Sequence, residues 1–158
     1  MLTDEFVLTV PGAAAPKGSL RCCRDRKHTL REDNKRTSPY RKKIAGWARQ
    51  KITQTAGPYQ PVGVEITFTF DRPANHYGTG RNRQTLKHSA PTYPTTQAVG
   101  DTDKLERTVL DALADAKVLP NDARVVELTA RKAYAADEQR DDVLPYAGTV
   151  IRLYPIEE

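Results

Sequence analysis

Cysteine is nearly absent from this chain: its 158 residues hold two, Cys22 and Cys23, and they are adjacent. Neighbouring thiols cannot staple distant parts of a fold, so a disulfide framework is excluded and a reducing, cytosolic setting is expected. Histidine is also sparse. His28, His76 and His88 are scattered, and with the two cysteines they make no zinc-binding spacing. No run approaches the roughly 18–20 apolar residues that cross a bilayer, which excludes a spanning helix. The opening Met1-Leu2-Thr3-Asp4-Glu5 is acidic and lacks the basic-then-apolar order of a secretory signal. No segment repeats.

What is present fits a globular protein of one domain over residues 1–158, at 38% hydrophobic and 28% charged. The net charge of +5 is unevenly spread: residues 1–55 balance at +8 and residues 56–158 at −3. A basic half beside a mildly acidic half suggests one surface for a polyanion and another that uses carboxylates.

Phe6–Val10 is a short β-rich run ended by Pro11-Gly12 and reads as a first strand. Residues 13–39 read as a mobile basic loop without periodicity. Ser38 can cap a helix with Pro39 at its first position, and Tyr40, Ile44, Trp47, Ala48 and Ile52 recur at helical spacing behind it. Val64–Phe70 alternates with period two and predicts a half-buried strand. Residues 71–99 form a second long, polar loop rich in proline and glycine. A helix follows over Asp103–Lys117, with Asp103 as N-cap, Glu106 completing a capping box, and Leu105, Val109, Ala112, Leu113 and Ala116 as its buried stripe. Val125–Tyr134 and Thr149–Tyr154 read as the last strands. The order predicts an α+β fold, a small mixed sheet with helices packed on one face.

The chemistry-bearing segment is Val99-Gly100-Asp101-Thr102-Asp103-Lys104-Leu105-Glu106-Arg107, followed by Asp111 and Asp122. Asp101 and Asp103, two apart at a loop-to-helix junction, can turn toward one point, and one or two carboxylates with water and a phosphate oxygen suit Mg²⁺. A helix N-cap beside a solvated neighbour is an equal reading of that pair. Asp122 reads as a turn residue, and Arg107 with Asp111 as a surface i,i+4 pair. The helix between them sets Asp122 about 20 Å from Asp101 at ~1.5 Å per residue. The two can meet only if the chain doubles back or a second subunit supplies the third acid.

Gly100-Asp101-Thr102-Asp103-Lys104-Leu105, Leu110-Asp111-Ala112-Leu113 and Asn121-Asp122-Ala123-Arg124-Val125 together resemble the RusA family of Holliday junction resolvases. That family's core runs Asp-x-Asp-Asn-Leu, a basic residue, Leu-Asp-Ala-Leu, then Asp-Asp before a strand. The likeness extends in order over most of the chain. Its central motif is specific because three acids recur at matched spacing. The resemblance implies a dimeric RusA-like fold and a Mg²⁺-dependent endonuclease (Mn²⁺ a possible substitute) that resolves four-way DNA by paired symmetric nicks in recombination and repair. Asp101, Asp103 and Asp122 match the family's metal-binding aspartates, and Arg107 its catalytic lysine. Three departures stand out: Lys104 replaces the common asparagine, Arg107 replaces lysine, and Asn121 stands where many relatives carry an acid. Arginine keeps the charge but cannot donate its proton, so an electrostatic role survives the exchange.

The basic half then gains a purpose, because holding a junction requires neutralising many phosphates. Lys17, Arg21, Arg24, Arg26 and Lys27 in the first loop, Arg41, Lys42 and Lys43 on the first helix, and Arg81, Arg83 and Lys87 in the second loop are the candidate DNA contacts, with Lys104 at the scissile or an adjacent phosphate. Two symmetric nicks imply a homodimer, with apolar surface from Val125–Leu128 or from around Trp47, although Trp47 itself reads as core. The Asp-x-Asp-Lys-Leu variant and the long loops resemble relatives carried by bacteriophages and prophages, which implies a bacterial cytoplasm. The alternatives are a general branched- or flap-DNA nuclease and a DNA-binding relative that does not cleave.

Overall fold

The computed structural model describes residues 1–22, 30–32, 34–136 and 140–157. The elements run β1 (Phe6–Pro11), β2 (Leu20–Cys22), β3 (Leu30–Glu32), α1 (Thr37–Lys51), β4 (Val62–Phe70), α2 (Thr102–Asp115), β5 (Val125–Tyr134) and β6 (Gly148–Pro155). Four strands form a sheet in the order β1-β6-β4-β5. β6 lies antiparallel to β1 and β4, and β5 parallel to β4, so the sheet is mixed and β5 is an edge. A parallel neighbour needs a crossover, which the segment containing α2 supplies.

Period two decides which face is buried. Leu8, Val10, Ile66, Phe68, Ile151 and Leu153 share one face at 0–1% exposure. Ile44 and Ala48 of α1 and Leu105, Val109 and Leu113 of α2 join the same core. Each of these side chains larger than alanine contributes roughly 1.5–3 kcal/mol on leaving water. The opposite face is polar: Arg152 bridges Glu5 at 2.7 Å and Glu65 at 3.3 Å. The fold is therefore the expected α+β arrangement, helices on one face of a mixed sheet. Among the described residues no helix is long and apolar enough to cross a membrane.

Several boundaries differ from the sequence reading, each for a local reason. α1 starts at Thr37, with Arg36 as an N-cap that makes no side-chain bond, so Ser38 is not the cap. Thr37 is drawn inward instead, its hydroxyl donating to the Pro16 carbonyl at 2.7 Å. Pro39 then falls within the first turn, where its missing N–H costs nothing. Trp47 is only half-buried, packed on the rim of the core. α2 is capped by Asp101, not Asp103, and stops at Asp115 because Lys117 takes a left-handed conformation, φ 61°. Within residues 13–39, the stretch expected to be featureless contains the β2–β3 hairpin, which sets Arg21 opposite Arg31. Three residues per strand are too few for periodicity to show. The 71–99 segment holds two short 3-10 turns, Ala74–His76 and Gly80–Asn82, and an isolated antiparallel bridge between Tyr77 and Leu86.

Candidate functional site

The N-terminus of α2 is positioned by a glycine. Gly100 has φ +89°, and a side chain there would meet the Pro16 ring at 2.6 Å. Its carbonyl accepts from Lys132 Nζ at 3.0 Å, while the Lys17 N–H donates to the Lys104 carbonyl at 3.0 Å. The first loop and β5 thus hold the same turn from two sides. Gly100→Ala adds a left-handed strain of about 1–2 kcal/mol to the clash with Pro16. The expected result is a urea midpoint lowered by at least that equivalent, against no change for an alanine at exposed Gly80's neighbour Thr79.

Asp101 and Asp103 are both exposed just after this turn. The capping explanation of Asp101 does not account for its side chain. It occupies the N-cap position, yet makes no side-chain cap bond and instead pairs with Lys104 Nζ at 3.0 Å. Asp103 follows in the first turn, where the helix dipole favours a carboxylate. Neither carboxylate is spent on capping, and a cation reaches Asp101 by displacing the Lys104 ammonium. Glu106, read from sequence only as half of a capping box, lies one turn on. Burial, then the charge of Asp103, raises its carboxyl above the usual carboxylate range, and Arg107 opposes that shift. Arg107 is exposed and forms no salt bridge among the described residues. The expected Arg107–Asp111 pair is replaced: Asp111 accepts from Lys17 at 2.7 Å and from Arg41 at 3.4 Å.

Asp122 opens a 3-10 turn, Asp122–Arg124, just before β5. The cap there is Asn121, whose Oδ1 accepts from the Ala123 N–H at 2.8 Å, so the exposed Asp122 carboxylate is not spent on the turn. Within one chain the three aspartates do not converge: among the described residues no three metal-capable side chains come together. The fold explains why. Lys132 pins Gly100 near the far end of β5, whereas Asp122 precedes its first residue, and seven residues of strand span about 23 Å.

The cations divide into engaged and exposed groups. Arg41 holds Asp115 through Nε at 2.5 Å and Nη2 at 2.8 Å, and with Lys17 it fastens α1 and the first loop to α2. Asp115 is held below the ordinary carboxylate range chiefly by that Arg41 hydrogen bond. Lys42, Lys43, Arg81, Arg83 and Lys87 are exposed, Lys87 reaching the Asn75 carbonyl at 2.8 Å. Arg21 lies on β2, exposed; Arg24, Arg26 and Lys27 fall outside the described residues. Sequence reasoning passed over Lys132, although a lysine on the strand face that carries Ala130 and Tyr134 is out of pattern and signals a specific partner.

Together these features define a class: an α+β protein presenting carboxylates at a helix N-terminus among exposed cations. The chain belongs to the endodeoxyribonuclease RusA family, whose profile matches residues 11–141 of the 158. It is thereby a member of a nuclease family. No curated protein matches it.

Proposed function

We propose that the protein is a Mg²⁺-dependent homodimeric endonuclease that resolves four-way DNA junctions by two symmetric nicks. The observation carrying this reading is the pair Asp101 and Asp103, exposed at the start of α2 and not consumed by capping, in a member of this family. Two carboxylates suit a hard cation that keeps waters and takes up a phosphate oxygen. A bound Mg²⁺ would supply charge neutralisation and water activation for phosphodiester hydrolysis. Asp101 and Asp103 hold the cation, and the Arg107 guanidinium, fixed in charge, faces the phosphoryl oxygens as negative charge builds there. Exposed Lys42, Lys43, Arg81, Arg83 and Lys87, with Arg21, Arg24, Arg26 and Lys27, neutralise the junction arms. Lys17 and Arg41, tied to Asp111 and Asp115, act mainly by holding the site together.

The third acid comes from a second copy. Among the described residues β5 has a partner on one side only, and Val126 and Leu128 on it are 60% and 39% exposed. An unpaired apolar edge calls for cover, and β5 pairing antiparallel with its copy about a two-fold axis supplies it. That pairing brings the start of one β5 against the end of the other, so Asp122 of the partner subunit approaches Asp101 and Asp103. The half-buried Trp47 offers less apolar surface than this edge.

Lys104 restrains the site in the absence of metal. Its ammonium neutralises Asp101, so a cation must displace it. An exposed pair of this kind is worth about 0.2–1 kcal/mol. Lys104→Ala is therefore expected to lower the half-saturating Mg²⁺ concentration for nicking by up to about fivefold, while weakening junction binding in EDTA; an unchanged metal titration would remove this role.

The direct test is cleavage of labelled four-way, flap and linear DNA with Mg²⁺. Paired nicks across the four-way substrate support the proposal. Equal cutting of flaps favours the general branched-DNA nuclease, and binding without cleavage favours the non-cleaving relative.

A further inference from the structure

Tyr59 is 84% exposed, an unusual cost for a tyrosine on a well-fastened turn. The turn lies between Pro58 and Pro61 and is tied at every side. The Ala56 N–H donates to the Val118 carbonyl at 2.9 Å, the Gly57 N–H to Gln60 Oε1 at 3.0 Å, and Gln60 Oε1 also accepts from the Leu2 N–H at 2.9 Å. The Ile156 N–H closes on the Pro61 carbonyl at 3.2 Å. The ring is thus held out by a rigid support, beside a cleft of about 450 Å³ bordered by Met1, Pro58, Pro61 and Ile156.

Against that ring lies Arg124, its guanidinium carbon 5.3 Å from the ring centre. Arg124 has no carboxylate in salt-bridge range among the described residues, and its Nε is buried without an acceptor. It stands two residues after Asp122 in the same 3-10 turn. An aromatic face kept in water, a guanidinium edge with donors to spare, and a neighbouring carboxylate assigned to metal form one cluster.

We propose that Tyr59 and Arg124 are a nucleotide-holding platform: Tyr59 stacks on a base unstacked at the branch point, and Arg124 binds that nucleotide's phosphate. The chemistry favours this over a protein partner. Arginine stacked on an aromatic ring keeps its outer donors for a phosphate, and a base offers a flat face of any sequence to the tyrosine. The platform rests on the reading that Asp122 faces the cleaved strand. It gives the protein a contact beside the reaction centre that tolerates any base, and so contributes to recognition of branching more than of sequence.

The test places 2-aminopurine at each nucleotide flanking the branch point of a four-way junction and follows its emission with protein in EDTA, alongside affinity by anisotropy. Wild type is expected to change the emission at one flanking position. Tyr59→Ala should abolish that change and weaken binding by about tenfold, whereas Tyr59→Trp should keep both. Arg124→Gln should weaken binding and flatten its salt dependence by about one phosphate contact. Tyr59 is too exposed for its truncation to threaten the fold, which circular dichroism checks. If Tyr59→Ala binds and perturbs the probe as wild type does, the platform is overturned. It is equally overturned if Tyr59→Ala turns a dimer into a monomer by light scattering, because the ring then belongs to a subunit interface. A wild type that binds no junction at all removes the platform and the proposed function together; a wild type that binds with an unaffected Tyr59→Ala removes the platform alone.

Discussion

Asp101→Asn and Asp103→Asn are each expected to reduce Mg²⁺-dependent nicking of a four-way junction by about 10²–10³-fold or more, while binding in EDTA is retained or improved. Asparagine keeps the shape and one oxygen of the side chain but removes the charge that holds a hard cation. Both positions are exposed on a helix start that does not use their oxygens for capping, so the fold should tolerate the change. The binding arm of the prediction has its own sign. In the absence of metal the Asp103 carboxylate repels the phosphates, and Asp101 occupies the Lys104 ammonium, so Asp103→Asn removes a repulsion and Asp101→Asn releases a cation to the DNA. Loss of folding, visible as a shifted thermal midpoint, would be a different outcome from loss of chemistry. Full cleavage by either variant with normal binding would sink the metal assignment.

How much of this was legible in the sequence depends on the range of the interaction that fixes each feature. β4 could be read because its alternation is local and strong, but the expected half-buried strand is buried on both faces: Thr67 and Thr69 are covered by the later segment that carries Asp142 and Leu144, which alternation cannot foresee. α2 could be read because Leu105, Val109 and Leu113 recur at helical spacing. The α2 cap could not be placed from sequence. Asp101 and Asp103 are equally good caps by type, and what chose Asp101 was the turn at Gly100, fixed by Pro16 and Lys132 from far along the chain. Similarly, Thr37 starts α1 because a carbonyl 21 residues away accepts its hydroxyl. The aspartates themselves stood out only through the family resemblance, because by spacing alone Asp101 and Asp103 read equally as a helix start and Asp122 as a turn residue. That Asp111 belongs to Lys17 and Arg41 and not to Arg107 could not be read, since helical spacing suggests only the neighbour on the same helix. Arg124 escaped notice for a related reason: its partner is an exposed ring from a turn more than sixty residues earlier.

Mixing two inactive proteins should restore activity if the site is shared between subunits. Asp103→Asn and Asp122→Asn are each expected to be inactive alone, since every site in either homodimer lacks one ligand. In a heterodimer with Asp122 acting across the interface, one site carries both defects and the other carries none. Random reassortment makes about half the dimers mixed, so about a quarter of the wild-type sites return. Because each mixed dimer has one working site, the product should be single nicks and not paired ones. Were Asp122 to act within its own chain, every site in the mixture would hold one defect and no activity would return. The fold favours the first result. For Asp122 to reach Asp101 in its own chain, the start of β5 would have to leave β4, yet the parallel ladder runs from Val62–Val125 to Phe70–Tyr134. A copy paired along the exposed β5 edge requires no such break, and it covers Val126 and Leu128 at the same time. The need for a second subunit and the need to cover that edge are then met by the same contact, and a charge placed on it, as in Leu128→Glu, would be expected to abolish dimerisation and nicking together.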